Sequence, residues 1–229
     1  MTDDARYSCC AEALRRHEIM IPSDVLVSAY VSGWFPMAVE KGDIRWYSPD
    51  PRGIIPLESF HVPARLARVV RRGAFRIAID TAFERVIRAC AESERAREDP
   101  GSWIDEEIIE SYVALHRLGL AHSVEAWRGD QLAGGLYGVA LGGAFFGESM
   151  FHHETDASKV ALAALVERLS ARGYRLLDTQ WLTDHLVQFG AIEVPRRRYL
   201  KMLEESLKID CSFSLDSTKT RKQVPRITE

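Results

Sequence analysis

The alternation of apolar and polar positions changes period several times along the chain. Apolar residues at 25, 26, 29 and 30 predict a helix from Asp24, capped by Ser23, that ends at Gly33. The aromatic stretch Trp34-Phe35-Pro36-Met37 and the segment Trp46-Tyr47-Ser48-Pro49-Asp50-Pro51-Arg52-Gly53 predict an ordered, packed loop, since proline interrupts both. Residues 63–73 read as a helix with Pro63 in its first turn and Gly73 as its stop, and 75–80 as a short strand. A helix over 81–93 is expected to be capped by Asp80 or Thr81, and the charged run 92–102 to be a surface loop. Apolar residues at 104, 108, 109, 112, 113 and 115 then mark a helix that stops at Gly119.

Three strand-like runs follow, at 122–127, 131–141 and 144–151, with hairpin turns at Arg128-Gly129-Asp130 and Gly142-Gly143. Asp156 is expected to cap an amphipathic helix that stops at Gly173. A strand over 174–180, a short helix over 182–189, a strand over 191–194 and a helix over 195–207 complete the pattern. The first twenty residues read as an arm, and 209–229 as a polar, disordered tail. Helices, then an antiparallel meander, then a helix and a crossing strand make an α+β fold. Its element order resembles the GNAT class of acyltransferases, in which a mostly antiparallel central sheet is flanked by helices. The reading divides the chain into a small N-terminal domain at 1–56, a GNAT-like catalytic domain at 57–208 and the tail.

Composition narrows the function classes. Thirty Lys and Arg against 33 Asp and Glu give a net charge of -3 in 229 residues, which excludes a globally basic nucleic-acid coat but not a local basic patch. Cys9, Cys10, Cys90 and Cys211 have neither disulfide-framework nor zinc spacing, which fits a reducing, cytoplasmic setting. No apolar run reaches the roughly 18 residues of a spanning helix, so no membrane partner is expected.

Candidate chemistry concentrates in two strands. Glu148 lies in the apolar run AFFGESMF beside Gly147 and Ser149. A buried carboxylate there is either tied to backbone amides or an arginine, or is a pocket group that meets a ligand ammonium or hydroxyl. Phe145, Phe146, Met150 and Phe151 are then either core or pocket lining. In LLDTQ, Asp178 and Gln180 project from one face of an extended strand, so the carboxylate can orient the amide, although strand ends also carry such residues as caps. His185 follows on the next helix and Trp103 and Tyr112 are large aromatics that are either core anchors or faces for a stacked base. Arg65, Arg68 and Arg72 share a helical face near Arg71, and such a stripe is either solvated surface or a phosphate contact. P-loop, dinucleotide, HExxH and GxSxG patterns are missing. So is the Q/R-x-x-G-x-G/A loop that would hold the pyrophosphate of coenzyme A.

Taken together, AYVSGWFPM, WYSPDPRG, FHVPARLARVV, WIDEEIIESYVALHRLGLAHSVEAW, LAGGLYGVALGGAFFGESMF, DASKVALAALVERL and LLDTQWLTDHLVQFGAIEVPRRRYL resemble the bacterial leucyl/phenylalanyl-tRNA–protein transferases. The resemblance covers roughly 24–203 in order. It implies an aminoacyltransferase that moves Leu or Phe, and less well Met, from aminoacyl-tRNA to proteins with N-terminal Arg or Lys. Such transfer marks the acceptors for N-end-rule degradation, and the resemblance implies no metal or organic cofactor; a monomer is expected, although the sequence itself does not reveal the oligomeric state. It also assigns Glu148, Phe145, Leu136, Leu165, Leu169 and Leu177 to an amino-acid pocket, with Ser149 beside them. Trp103 and Tyr112 fall near the terminal adenosine, Asp178 and Gln180 at a catalytic pair, and Arg65, Arg68, Arg71 and Arg72 at the tRNA acceptor stem. The chain lacks the family's Pro-x-Gly-Leu-Leu-Ala-x-Gly-Gly-Asp-Leu stretch, carries Met37 where many members have Trp, and has leucine at 165, 169 and 177 where relatives often have aromatics or isoleucine. Rival classes are a coenzyme A-dependent N-acetyltransferase, a non-catalytic tRNA- or peptide-binding module, and a transferase that builds peptidoglycan bridges.

Overall fold

The computed structural model describes residues 20–40, 43–93 and 103–214. Its backbone is a mixed α+β arrangement whose large sheet has seven strands in the order β4-β5-β6-β7-β8-β3-β9. These are β3 (Arg52–Ile55), β4 (Arg76–Ile79), β5 (Ala121–Arg128), β6 (Gln131–Leu141), β7 (Ala144–His152), β8 (Leu176–Gln180) and β9 (Ile192–Val194). Every pairing is antiparallel except β7 with β8. The β5-β6-β7 meander turns where glycines stand, with Gly129 and Gly142 both at positive φ. Residues 52–55 fall inside the span read as the N-terminal unit, yet as β3 they are wholly buried and paired on both sides in the large sheet.

The seven helices of the described residues are α1 (Ser23–Val31), α2 (Ala64–Arg71), α3 (Phe83–Ala91), α4 (Glu106–Arg117), α5 (Ala157–Ala171), α6 (Asp184–Val187) and α7 (Arg196–Leu207). One core lies between the sheet and α1, α3, α4 and α7, around Tyr30, Ile87, Tyr112 and Tyr199. The other lies between the opposite face and α2 and α5, around Leu66, Val160 and Leu165. Both faces of the sheet are covered, so β5 and β6 are buried along nearly their whole length, including the polar His122, Ser123 and Glu125.

Several local expectations change in three dimensions. The aromatic segment expected as a packed loop contains a hairpin of β1 (Phe35–Glu40) and β2 (Asp43–Tyr47). Pro36 is tolerated there because each strand of a two-stranded sheet has one edge free of a partner. Ser23, Asp80, Thr81 and Asp156 do not cap their helices through side chains. Ser23 is already the first residue of α1, and Asp156 stands at φ 70°. At α3 the cap comes from another strand: buried Glu125 accepts hydrogen bonds from the amides of Thr81 (3.0 Å) and Ala82 (3.1 Å). Asp105 does cap α4, accepting from the Ile108 amide at 2.9 Å.

The chain beyond α7 also differs from the expected tail. Residues 209–214 fold back, and Phe213 is buried against His122, Phe145 and Tyr174. Its carbonyl accepts from Arg168 Nε at 2.8 Å. A large aromatic ring outweighs the polar residues around it. Residues 1–19 of the expected twenty-residue arm, most of the 92–102 loop and residues 215–229 lie outside the described residues.

Candidate active site

The site forms where β7 and β8 part. Their parallel pairing runs only from Ala144↔Leu176 to Phe146↔Asp178. Beyond it the two strands border a cavity of about 730 Å³ that takes lining from both cores. Leu136, Leu162, Leu165, Leu177 and Leu186 line it from the core beneath α2 and α5, and Phe35, Met37, Trp103 and Ile104 from the other core. Glu148 and Gln180 lie on its walls.

Two irregularities aim these residues. Tyr137 pairs with Ser149 and Gly138 with Gly147, so Glu148 is the extra residue of a β-bulge. The bulge changes the phase of β7: Phe146 and Phe151, five positions apart, enter the same core, while Phe145 and Met150 enter the other. On β8, Gly53 pairs with Gln180 and Ile54 with Asp178, which leaves Thr179 as the extra residue. Gln180 then takes φ 59°, outside the usual range of a side-chain-bearing residue, and the Trp181 amide donates to the Thr179 carbonyl at 2.7 Å. Gly53 makes this bend possible, because a Cβ there would meet the Trp181 carbonyl carbon at 2.6 Å.

Asp178 is completely buried and fully engaged. Oδ1 accepts from Arg52 Nε (2.9 Å) and the Gln180 amide (2.9 Å), and Oδ2 from Arg52 Nη2 (2.7 Å) and the Tyr199 hydroxyl (2.7 Å). Arg52 also donates to the Gly33 carbonyl at 3.0 Å and lies over the rings of Phe35 and Tyr199. Burial opposes the Arg52 charge, but the Asp178 carboxylate outweighs it and holds the guanidinium above its ordinary value. Tyr199 is raised by burial and then by the Asp178 charge.

Glu148 occupies a cage of hydroxyls. Oε1 accepts from Tyr30 at 2.7 Å and from Gln180 Nε2 at 3.1 Å, and Oε2 from Tyr112 at 3.3 Å. Tyr30 and Tyr112 also share a short hydrogen bond. Burial of the half-buried Glu148 carboxyl pushes it up to about 8; the Asp178 charge adds to this, while the tyrosine hydrogen bonds and the Arg52 charge oppose it. Both tyrosines are raised well above their usual value, first by burial and then by the Glu148 charge. Cys90, on the same cavity wall, is pushed up to about 12 by burial despite a hydrogen bond to Ser149.

Residues 54–204 match the family described as leucyl/phenylalanyl-tRNA protein transferase, and residues 21–50 match its N-terminal domain. The chain belongs to the leucyl/phenylalanyl-tRNA protein transferase family. It is 52% identical over 196 residues to the leucyl/phenylalanyl-tRNA–protein transferase of Gloeobacter violaceus, covering 85% of this chain and 98% of that one. The corresponding protein of Rhodopseudomonas palustris strain TIE-1 is 55% identical over 196 residues, covering 85% and 86%. A remote likeness to the solved structure of L-PGS from Bacillus licheniformis has 12% identity and a TM-score of 0.42, covering 68% of this chain and 56% of that one, too weak to bear on the fold.

In this transferase-family chain the cavity brings together Leu136, Glu148, Ser149, Leu165, Leu177, Gln180 and Trp103. Phe145 and Leu169 stand behind the wall, fully buried in the core. Tyr112 is also fully buried, edge-on to Tyr137, and so offers no face to a base. Asp178 and Gln180 do not meet as expected: the carboxylate holds the Gln180 backbone, and the amide side chain is held by Glu148. The reason is the bulge, which breaks the period-two alternation. Arg65, Arg68, Arg71 and Arg72 are all exposed, with Arg65 Nη2 at 3.7 Å from Asp156. Sequence reasoning missed Arg52, Tyr30, Tyr199 and Trp181. A buried carboxylate in LLDTQ demands a cation, and that demand was the available signal for Arg52. Among the described residues, no helix is long and apolar enough to cross a membrane.

Proposed function

We propose that this chain, acting as a cytoplasmic monomer, moves leucine or phenylalanine, and less well methionine, from aminoacyl-tRNA to the α-amine of proteins that begin with Arg or Lys. The product carries a new N-terminal residue that marks it for N-end-rule degradation. The observation that carries the reading is the cavity between β7 and β8, lined by leucines from one core and bordered by Glu148 and Gln180. The donor side chain lies against these leucines, and the ester linkage lies by Glu148 and Gln180. Trp103, on the cavity wall, is available to the terminal adenosine, and the exposed arginines of α2 and its C-terminus take acceptor-stem phosphates.

The ester is already activated, so the site supplies position and charge stabilisation. A peptide α-amine has a reference pKa of about 7.7–8.0, so a useful neutral fraction exists near pH 7 without a strong base. Gln180 orients the attacking amine or the ester carbonyl. Arg52 and Tyr199 saturate Asp178, so its part is to hold the Gln180 backbone in place. As the C–N bond forms and the C–O bond to the ribose breaks, one amine proton ends on the ribose oxygen. Glu148 can exchange a proton on that path, because its carboxyl titrates near the working pH.

The experiment is incubation of the protein with tRNA charged with labelled Leu or Phe and an Arg-headed acceptor protein. Label moves to the acceptor, and RNase treatment of the charged tRNA beforehand abolishes the transfer. No transfer from intact charged tRNA rejects the proposal.

A further inference from the structure

Thr179 stands between the two residues assigned above to the reaction, yet neither sequence pattern nor hydrogen bonding gives its hydroxyl a task. Among the described residues, its Oγ1 is a buried side-chain oxygen without a hydrogen-bond partner, although the residue is only half-buried and lines the cavity. The hydroxyl is therefore turned away from open space. A threonine has three staggered χ1 wells, and rotation among them moves the oxygen while the residue stays on the cavity wall. Thr179 is the residue that the β3–β8 register skips, and the chain bends sharply just after it, with Gln180 at φ 59°. The bulge that turns Gln180 therefore also sets Thr179 on the cavity wall.

We propose that the Thr179 hydroxyl donates a hydrogen bond to the carbonyl oxygen of the donor's ester as negative charge develops there. This inference rests on the aminoacyl-transfer reading of the site. Leu177 and Thr179 both line the cavity, two residues apart on β8, which is about 7 Å along a strand. With the donor side chain against Leu177, the ester lies farther along the strand, at the level of Thr179. Glu148, across the cleft, is already engaged by Tyr30, Tyr112 and Gln180 and is left to the amine-bearing side of the substrate. The carbonyl needs a donor. Thr179 keeps its proton throughout: the amine nitrogen bonds to the carbonyl carbon, the ribose oxygen leaves with the amine's proton, and the hydroxyl only stabilises the charged oxygen between those events.

The test compares wild type, Thr179→Val and Thr179→Ser in steady-state transfer of Leu from charged tRNA to an Arg-headed peptide, with thermal unfolding of each protein. Valine keeps the shape and removes the hydroxyl; serine keeps the hydroxyl. Thr179→Val is expected to lower kcat by about 10²-fold or more, the size of a lost oxyanion donor, with KM for the charged tRNA unchanged. Its unfolding temperature should hold or rise, because an unpartnered hydroxyl has left the interior. Thr179→Ser should restore most of the turnover. Unchanged kcat in the valine variant, a loss confined to KM, or equal loss with serine and valine overturns the inference. A wild-type protein that transfers nothing overturns the aminoacyl-transfer reading instead.

Discussion

Arg52 and Asp178, 126 residues apart in the chain, form a two-point ion pair at 2.9 and 2.7 Å from which water is excluded. The pair ties the first residue of β3 to the neighbouring strand that carries Gln180. Two more aromatic groups close it off, because the guanidinium lies over the Phe35 and Tyr199 rings. The carboxylate expected to orient the Gln180 amide is therefore occupied as a clamp.

A clamp of this kind should fail all at once. Arg52→Ala leaves the Asp178 charge buried with only Tyr199 and a backbone amide to compensate it. The expected loss is about 3–5 kcal/mol in unfolding free energy, read from urea denaturation at constant pH. A loss below about 1 kcal/mol would mean that water reaches Asp178 in solution, contrary to the burial seen here.

Glu148 gives the chain a pH dependence with a definite sign. Its folded carboxyl titrates near 8, above the ordinary value of 4.5, so the folded protein holds a proton that the unfolded chain releases between those values. Its contribution to stability is then full below about 4.5 and fades as pH rises through 8. Glu148→Gln removes that slope, since the amide does not titrate. Relative to the variant, the wild type should lose stability between pH 5 and pH 8.5 in parallel urea titrations. Equal slopes for the two proteins would place Glu148 in contact with bulk water.

How much of this was legible in the sequence differs residue by residue. The meander could be read because the glycine turns at 129 and 142 and the apolar runs between them are local signals. Glu148 stood out because a carboxylate in an apolar strand needs a reason. Its aim did not, because the bulge exists only in the register between β6 and β7, which one strand alone does not reveal. The cap of α3 was misplaced for a similar reason: Glu125 reaches it from more than forty residues away, outcompeting the local Asp80 and Thr81. Phe213 was hidden in a polar stretch whose average composition says nothing of one anchoring ring.

Donor choice should follow the cavity wall rather than the second layer. Leu165 lines the cavity, so Leu165→Phe narrows it and should reduce kcat/KM for the Phe donor at least about tenfold more than for the Leu donor. Competition between the two charged tRNAs in one reaction reads that ratio directly. Phe145→Ala acts differently, because Phe145 is packed against Phe213 behind the wall. Its main effect should be a loss of about 3–5 kcal/mol in stability. A change in the donor ratio without loss of stability would return Phe145 to the pocket.

Recognition of the nucleic acid is expected to be electrostatic and confined to one helix face. Arg68 and Arg72 are exposed, four positions apart, and project from α2 and its C-terminal cap on the side away from buried Leu66. Each phosphate contact releases condensed counterions, so each arginine lost should flatten the dependence of log affinity on log salt by about one. The Arg68→Ala and Arg72→Ala double variant should thus bind uncharged tRNA with a slope lower by about two, and raise KM for the charged tRNA while kcat holds. Binding measured across a salt series distinguishes this from a general loss of structure, which would lower the amplitude at every salt. An unaltered slope would reassign the stripe to ordinary solvated surface and send the search for phosphate contacts to other basic residues of the chain.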